Sequence, residues 1–159
     1  MSAPRRILAC EDDVSILGLL LRILRREGYV VESATNGEEV LRRISTDTHY
    51  DVVLLDLVLP PPDGFALIEH FRRHRPDLLR RTIALSASLS GLKSPPEGIA
   101  AFVGKPFDIR QLADLIARRV VAELGLVPPG NRPKKSETPE FPEEIEQTNG
   151  ARARAGPRR

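Results

Sequence analysis

The stretch Tyr50–Gly64, YDVVLLDLVLPPPDG, restricts the possible folds more than any other part of these 159 residues. Val52, Val53, Leu54 and Leu55 form an unbroken apolar run rich in branched side chains. Without polar alternation the run cannot keep one face in water, so it fits a strand covered on both faces in the middle of a parallel sheet. It stops at a carboxylate, Asp56, where another aliphatic residue would continue it. Pro60, Pro61 and Pro62 follow, then Asp63-Gly64, and the chain must turn there. Open α/β sheets place their reactive groups at the carboxyl ends of central strands. Asp56 is therefore the first candidate for chemistry.

The rest of the chain alternates in the same sense. Arg6–Cys10 reads as a short buried strand. Ile16, Leu17, Leu20, Leu21 and Leu24 then recur at helical spacing, with Gly28 closing the helix. Tyr29–Ala34 reads as a second strand, followed by Asn36-Gly37 and a helix carrying Val40, Leu41 and Ile44. After the third strand, Asp63 can cap a helix with Phe65, Leu67, Ile68 and Phe71, which Pro76 should end. Thr82–Leu85 is a fourth strand and Ala101–Val103 a fifth. Between them, SLSGLKSPPEGIA holds two glycines and two prolines, so a fourth helix would be shortened or broken. Asp108 and Gln111 suit a capping box for a last helix with Ile109, Leu112, Leu115, Ile116 and Val120. Five alternations of strand and helix predict an α/β fold, a doubly wound five-stranded parallel sheet with right-handed crossovers. Residues 1–126 form this domain. From residue 127 the apolar period ends and prolines and charge blocks take over, which predicts a disordered tail over 127–159.

Composition narrows the function classes. Residues 1–127 hold 17 Lys+Arg and 17 Asp+Glu, so the whole net charge of +2 lies in the tail, against a basic nucleic-acid face on the folded part. Aromatics are only 4% and Trp is absent, which leaves no stacking platform for bases. The single cysteine, Cys10, sits in an apolar run and reads as a small buried hydrophobe; a chain with no internal disulfide fits a reducing cytoplasm. No window approaches a membrane span or a signal peptide.

In such a sheet the carboxyl ends of neighbouring strands converge on one edge. Four of them carry chemistry: Glu11-Asp12, Asp56, Ser86 and Lys105. Crowded carboxylates repel unless something positive sits among them, and Mg²⁺ accepts one or two carboxylates plus waters and phosphate oxygens. A carboxylate nucleophile, a metal ion, a lysine and a hydroxyl are the parts that hold a phosphoryl group during transfer. Other strand-end and loop residues have structural readings: Asp13 and Asp63 as helix caps, His49, His70 and His74 as surface residues, and the paired arginines as solvated helix faces.

The set EDD, D-L-V-L-P-P-P-D-G, S-A and K-P-F resembles the receiver domain of two-component response regulators over residues 5 to 123. The resemblance implies the flavodoxin-like strand order 2-1-3-4-5. It implies Asp56 as phosphoacceptor from a sensor histidine kinase or phosphotransfer protein. It implies Mg²⁺ on Asp12, Asp56 and the backbone carbonyl of Val58, with Glu11 holding the metal's waters. Ser86 would donate to the phosphoryl group and move towards it, Lys105 would pair with the acyl phosphate, Phe102 would be the rotating aromatic switch, and Pro106 would follow a cis bond. Such a protein is a signal receiver, catalysing only its own phosphotransfer and dephosphorylation, and it signals to a downstream protein. With no output domain after residue 126, the chain is expected to be a stand-alone regulator.

Three other readings compete. The broken fourth helix motivates a degenerate receiver, an adaptor that takes no phosphate. A Mg²⁺-dependent phosphohydrolase with an aspartyl nucleophile usually has a second Asp two residues on, where this chain has Val58. A dinucleotide-binding domain is excluded, because Glu11-Asp12-Asp13 stand where a glycine-rich turn would meet the pyrophosphate.

Overall fold

The computed structural model describes residues 3–46, 49–87 and 94–123, with side chains described as far as residue 120. Five parallel strands form one sheet: β1 (Arg6–Cys10), β2 (Val30–Ala34), β3 (Val52–Asp56), β4 (Thr82–Ser86) and β5 (Ala101–Gly104). Their order is β2-β1-β3-β4-β5, as expected. β3 lies in the middle, with Cys10 of β1 beside Leu55 and Leu85 of β4 beside Asp56.

Every residue of β3 and of β4 is buried. The pleat sends alternate side chains of β3 to opposite cores. Val53 and Leu55 join one core with Val40 and Ile44 of α2 (Gly37–Ser45) and with Leu67, Ile68 and Phe71 of α3 (Gly64–His74). Val52 and Leu54 join the other, with Leu17, Leu20 and Leu24 of α1 (Val14–Arg26) and Leu112, Ile116 and Val120 of α5 (Ile109–Glu123). This two-sided burial is why the β3 sequence shows no alternation; each such side chain contributes roughly 1.5–3 kcal/mol on leaving water.

The caps lie where short polar residues precede the helical periods. Asp13 Oδ1 accepts from the amides of Ser15 (2.9 Å) and Ile16 (3.1 Å). Asn36 accepts from Glu39 and Asp63 from Ala66. Asp108 Oδ1 accepts from Arg110 and Gln111, starting α5. Gly28, just past α1, takes φ +93°, a conformation that a Cβ would strain. Both Lys105-Pro106 and Pro61-Pro62 are cis.

Two helical regions meet the expectation, and one adds to it. The third helix ends before Pro76, as expected. α3 stops at His74, and Pro76 opens a further turn, α4 (Pro76–Leu79), where its missing amide costs nothing. Thr82 Oγ1 donates to the Leu78 carbonyl (2.7 Å) and ties that turn to β4. Between β4 and β5, residues 94–100 form bends and turns rather than a helix. Arg72 Nη2 of α3 donates to the Glu97 carbonyl (2.9 Å) and holds this segment down. Residues 88–93 and the expected tail at 127–159 lie outside the described residues. Among the described residues no helix is long and apolar enough to cross a membrane.

Two glycines should respond oppositely to alanine. A Cβ on Gly64 would lie 2.5 Å from Leu57 Cα and 2.7 Å from the Asp56 carbonyl oxygen, both backbone atoms that cannot yield cheaply. A Cβ on Gly18, inside α1, would meet nothing within 4 Å. Urea denaturation should show Gly64→Ala destabilised by about 1–3 kcal/mol. Gly18→Ala should gain about 0.5–1 kcal/mol.

Candidate functional site

The carboxyl edge of the sheet gathers four loops around Asp56. β1 delivers Glu11, whose amide donates to the Ala34 carbonyl (3.0 Å) and extends the ladder one residue past Cys10. Asp12 follows, exposed, before Asp13 caps α1. β3 delivers Asp56, only 3% exposed, beneath the turn that Gly64 allows to pack closely. β4 delivers Ser86, buried at its last position. β5 delivers Lys105 one residue past its end, with the Lys105 amide donating to the Ser86 carbonyl (2.6 Å).

Carboxylate oxygens of Glu11, Asp12 and Asp56 all lie within 4.8 Å of one another. Lys105 Nζ donates to Glu11 Oε2 at 2.6 Å and to Asp56 Oδ2 at 2.8 Å. The second oxygen of Asp56 accepts the Val58 amide (2.9 Å), and that of Glu11 accepts the Asp13 amide (3.1 Å). Burial pushes the Glu11 carboxyl above the usual range; Lys105 and the Asp13 amide pull it back and the Asp56 charge pushes it further up. For Lys105, burial disfavours the ammonium, but its hydrogen bonds to Asp56 and Glu11 outweigh that and raise it above the ordinary lysine range.

With all three acids ionised, one ammonium leaves the cluster two negative charges in excess. The donors are hard oxygens, and one of the three is open to solvent. An octahedral Mg²⁺ at about 2.1 Å from its ligands sets their oxygens roughly 3 to 4.2 Å apart, which this cluster reaches with small side-chain shifts. The residues therefore fit a magnesium ion.

Each residue singled out in the sequence can now be placed. Glu11, Asp12, Asp56 and Lys105 meet. Ser86 lies at the adjoining strand end, and Val58 follows in the turn, its side chain exposed. Phe102 is buried in β5, beside Ala84 of β4, in the core shared with α2 and α3. Asp13 and Asp63 are caps. The sequence did not reveal that Lys105 binds Glu11 as well as Asp56, a contact across 94 positions that no local pattern signals.

Comparison with known proteins agrees with this geometry. The profile of the response regulator receiver domain family matches residues 7–117. The chain is 31% identical over 134 residues to the DNA-binding transcriptional regulator NtrC of Rhizobium meliloti, covering 82% of this chain and 26% of that protein. It thus spans about a quarter of that relative's length. A CheY-like receiver domain protein of Methanospirillum hungatei superposes with a TM-score of 0.68 at 30% identity, covering 77% of this chain and 98% of the other. The regulator TrrA of Thermotoga maritima, solved in complex with Mg²⁺ and BeF, gives 0.62 at 30% identity, covering 72% and 98%. The chain belongs to the response regulator receiver domain family.

Lys105→Met would leave Glu11 and Asp56 buried without their shared cation. At pH 7 and without divalent ions the variant should lose about 3 kcal/mol in urea denaturation. Part of this loss should disappear as the pH falls towards the carboxylate range, because the raised Glu11 carboxyl takes up a proton. The wild-type lysine, whose folded pKa is raised, should hold its contribution through neutrality and lose it only at alkaline pH above the ordinary lysine range.

Proposed function

We propose that this chain is a phosphorelay receiver that accepts a phosphoryl group on Asp56 from a phosphohistidine of a sensor kinase or phosphotransfer protein. The observation that carries the reading is a carboxylate, almost fully buried at the end of the central strand, hydrogen-bonded to a lysine and within one ion's reach of two further acids. Structural aspartates in such positions are saturated by amides or arginines; here the partners are groups suited to a phosphate.

The chemistry follows from the residues. An oxygen of Asp56 attacks phosphorus, the P–N bond of the donor imidazole breaks, and its electrons stay with the imidazole nitrogen. The product is an acyl phosphate on Asp56, later cleaved by water. Lys105, freed from the carboxylate it now holds, pairs with the new phosphoryl oxygens. Ser86 donates its hydroxyl to one of them and moves towards it. Asp12, Asp56 and the Val58 carbonyl would hold Mg²⁺, with Glu11 binding its waters. When bound, the ion supplies positive charge that lets an anionic carboxylate approach an anionic phosphoryl group. Phe102 would rotate as Ser86 moves, carrying the change to a protein partner downstream. The protein would work in the cytoplasm as a signal receiver, with turnover limited to its own phosphate.

One observation favours a second reading. Residues 94–100 carry no helix, and in this family the helix before the fifth strand belongs to the signalling face, so the chain could act as an adaptor that takes no phosphate. Intact-mass measurement after incubation with acetyl phosphate and Mg²⁺ separates the two. The receiver reading expects one added phosphate in wild type and none in Asp56→Ala or in the presence of EDTA. Lys105→Met should load roughly 10²-fold more slowly. An unmodified wild type that also binds no beryllofluoride would favour the adaptor.

A further inference from the structure

All three histidines of this chain line one cavity. It measures about 800 Å³ and lies between the C-terminal parts of α2 and α3, away from the acid cluster. His70 and His74 stand one turn apart on α3, and their ring centroids are 4.7 Å apart with the planes tilted by 44°. His49 lines the same cavity, its Nε2 hydrogen-bonded to Asp51 Oδ1 at 3.2 Å.

We propose that His70 and His74 form a second metal site, selective for a late first-row divalent cation, which they bind as an i, i+4 imidazole pair completed by water. The spacing suits this. An ion held about 2.1 Å from one nitrogen of each ring sets two imidazole centroids roughly 4.5–5.5 Å apart. The rings are tilted rather than stacked face to face. Neutral imidazole prefers zinc, copper or nickel over magnesium. The cluster of Glu11, Asp12 and Asp56 suits the harder ion, so the two sites sort metals by donor type.

The surroundings also accept positive charge. His74 is in the last turn of α3, whose carbonyl end attracts cations, and Arg72 and Arg73 of the same turn pair with Glu69 at 3.2 and 3.9 Å. Arg75 lines the cavity, and its charge is already matched: Nε and Nη2 donate to the two oxygens of Asp77 at 3.1 and 3.0 Å, and Nη1 donates to the Ile44 carbonyl at 2.8 Å. His49 with Asp51 reproduces the carboxylate–histidine pairing that usually supports a metal ligand. It remains a wall of the cavity, because among the described residues the acid cluster is the one group of three or more such side chains close enough to share an ion.

The test is calorimetric titration of the untagged full chain with Zn²⁺ in excess Mg²⁺, which keeps the acid cluster occupied. One equivalent of Zn²⁺ should bind. Affinity should fall at least about tenfold in each of His70→Ala and His74→Ala. Asp56→Asn should leave it unchanged. Both histidines are partly or fully exposed, so the variants should keep the wild-type circular dichroism. As an independent reading, zinc should move the ring nitrogen NMR signals of His70 and His74. Three results overturn the proposal: no zinc uptake, uptake unaffected by both histidine substitutions, or uptake abolished by Asp56→Asn.

Discussion

The ammonium of Lys105, held between Glu11 and Asp56, is the contact on which the site depends. Glu11 is 1% exposed and Asp56 3%, and a carboxylate so buried is costly unless it is paired. One cation shared by two acids lowers that cost without removing it, because Asp12 adds a third negative charge beside them. The edge is therefore kept short of positive charge, and a divalent ion or a phosphoryl–metal pair can supply what is lacking. A fully neutralised cluster would be more stable and would have no affinity left to use. The stability of this edge and its capacity to bind are thus opposed quantities, set by the same three oxygens and one nitrogen.

The sheet makes that arrangement reproducible. β3 is pinned by β1 on one side and β4 on the other, and its side chains alternate between two cores. Any slip by one residue would exchange Val53 and Leu55 with Val52 and Leu54 and turn Asp56 away. The packing energy of four aliphatic side chains thus fixes the direction of one carboxylate. Gly64 adds a second constraint from outside, since its missing Cβ lets α3 begin against the Asp56 carbonyl.

What could be read from the sequence divides along the same lines. Asp56 was legible because an unbroken apolar run ends in a charge, and Asp13, Asp63 and Asp108 because short acids before an apolar period are caps. These are local signals. The pairing of Lys105 with Glu11 is a product of topology, and it became visible only once the parallel sheet set the loops after β1 and β5 on the same edge, where the long lysine stem spans the gap. α4 was missed for a different reason. Proline was taken as a stop, yet at the first helical position it has no amide to lose, and the Leu78 carbonyl finds the Thr82 hydroxyl. The histidines were read singly, as surface residues, because His49 lies 21 positions before His70 and only the packing of α2 against α3 gives the three one cavity.

β3 carries a control for the reading of Asp56. Asp51 lies just before the strand, is also nearly buried, and is the same residue type. Its Oδ2 accepts the Arg6 amide at 2.8 Å, and its Oδ1 meets Arg5 at 3.4 Å and His49 at 3.2 Å. Burial would raise its pKa, but these partners win and hold it below the usual carboxylate range. All of them come from the protein, and none leaves an excess of negative charge, so Asp51 stitches the amino edge of the sheet together. Asp56, five residues further along the chain, meets one amide, one lysine and two more acids. Residue type and burial are alike at the two ends. What differs is the company that parallel topology assembles: chain and arginine at the amino edge, and loops bearing acids and one lysine at the carboxyl edge. The chemistry of this protein follows from that asymmetry rather than from aspartate itself.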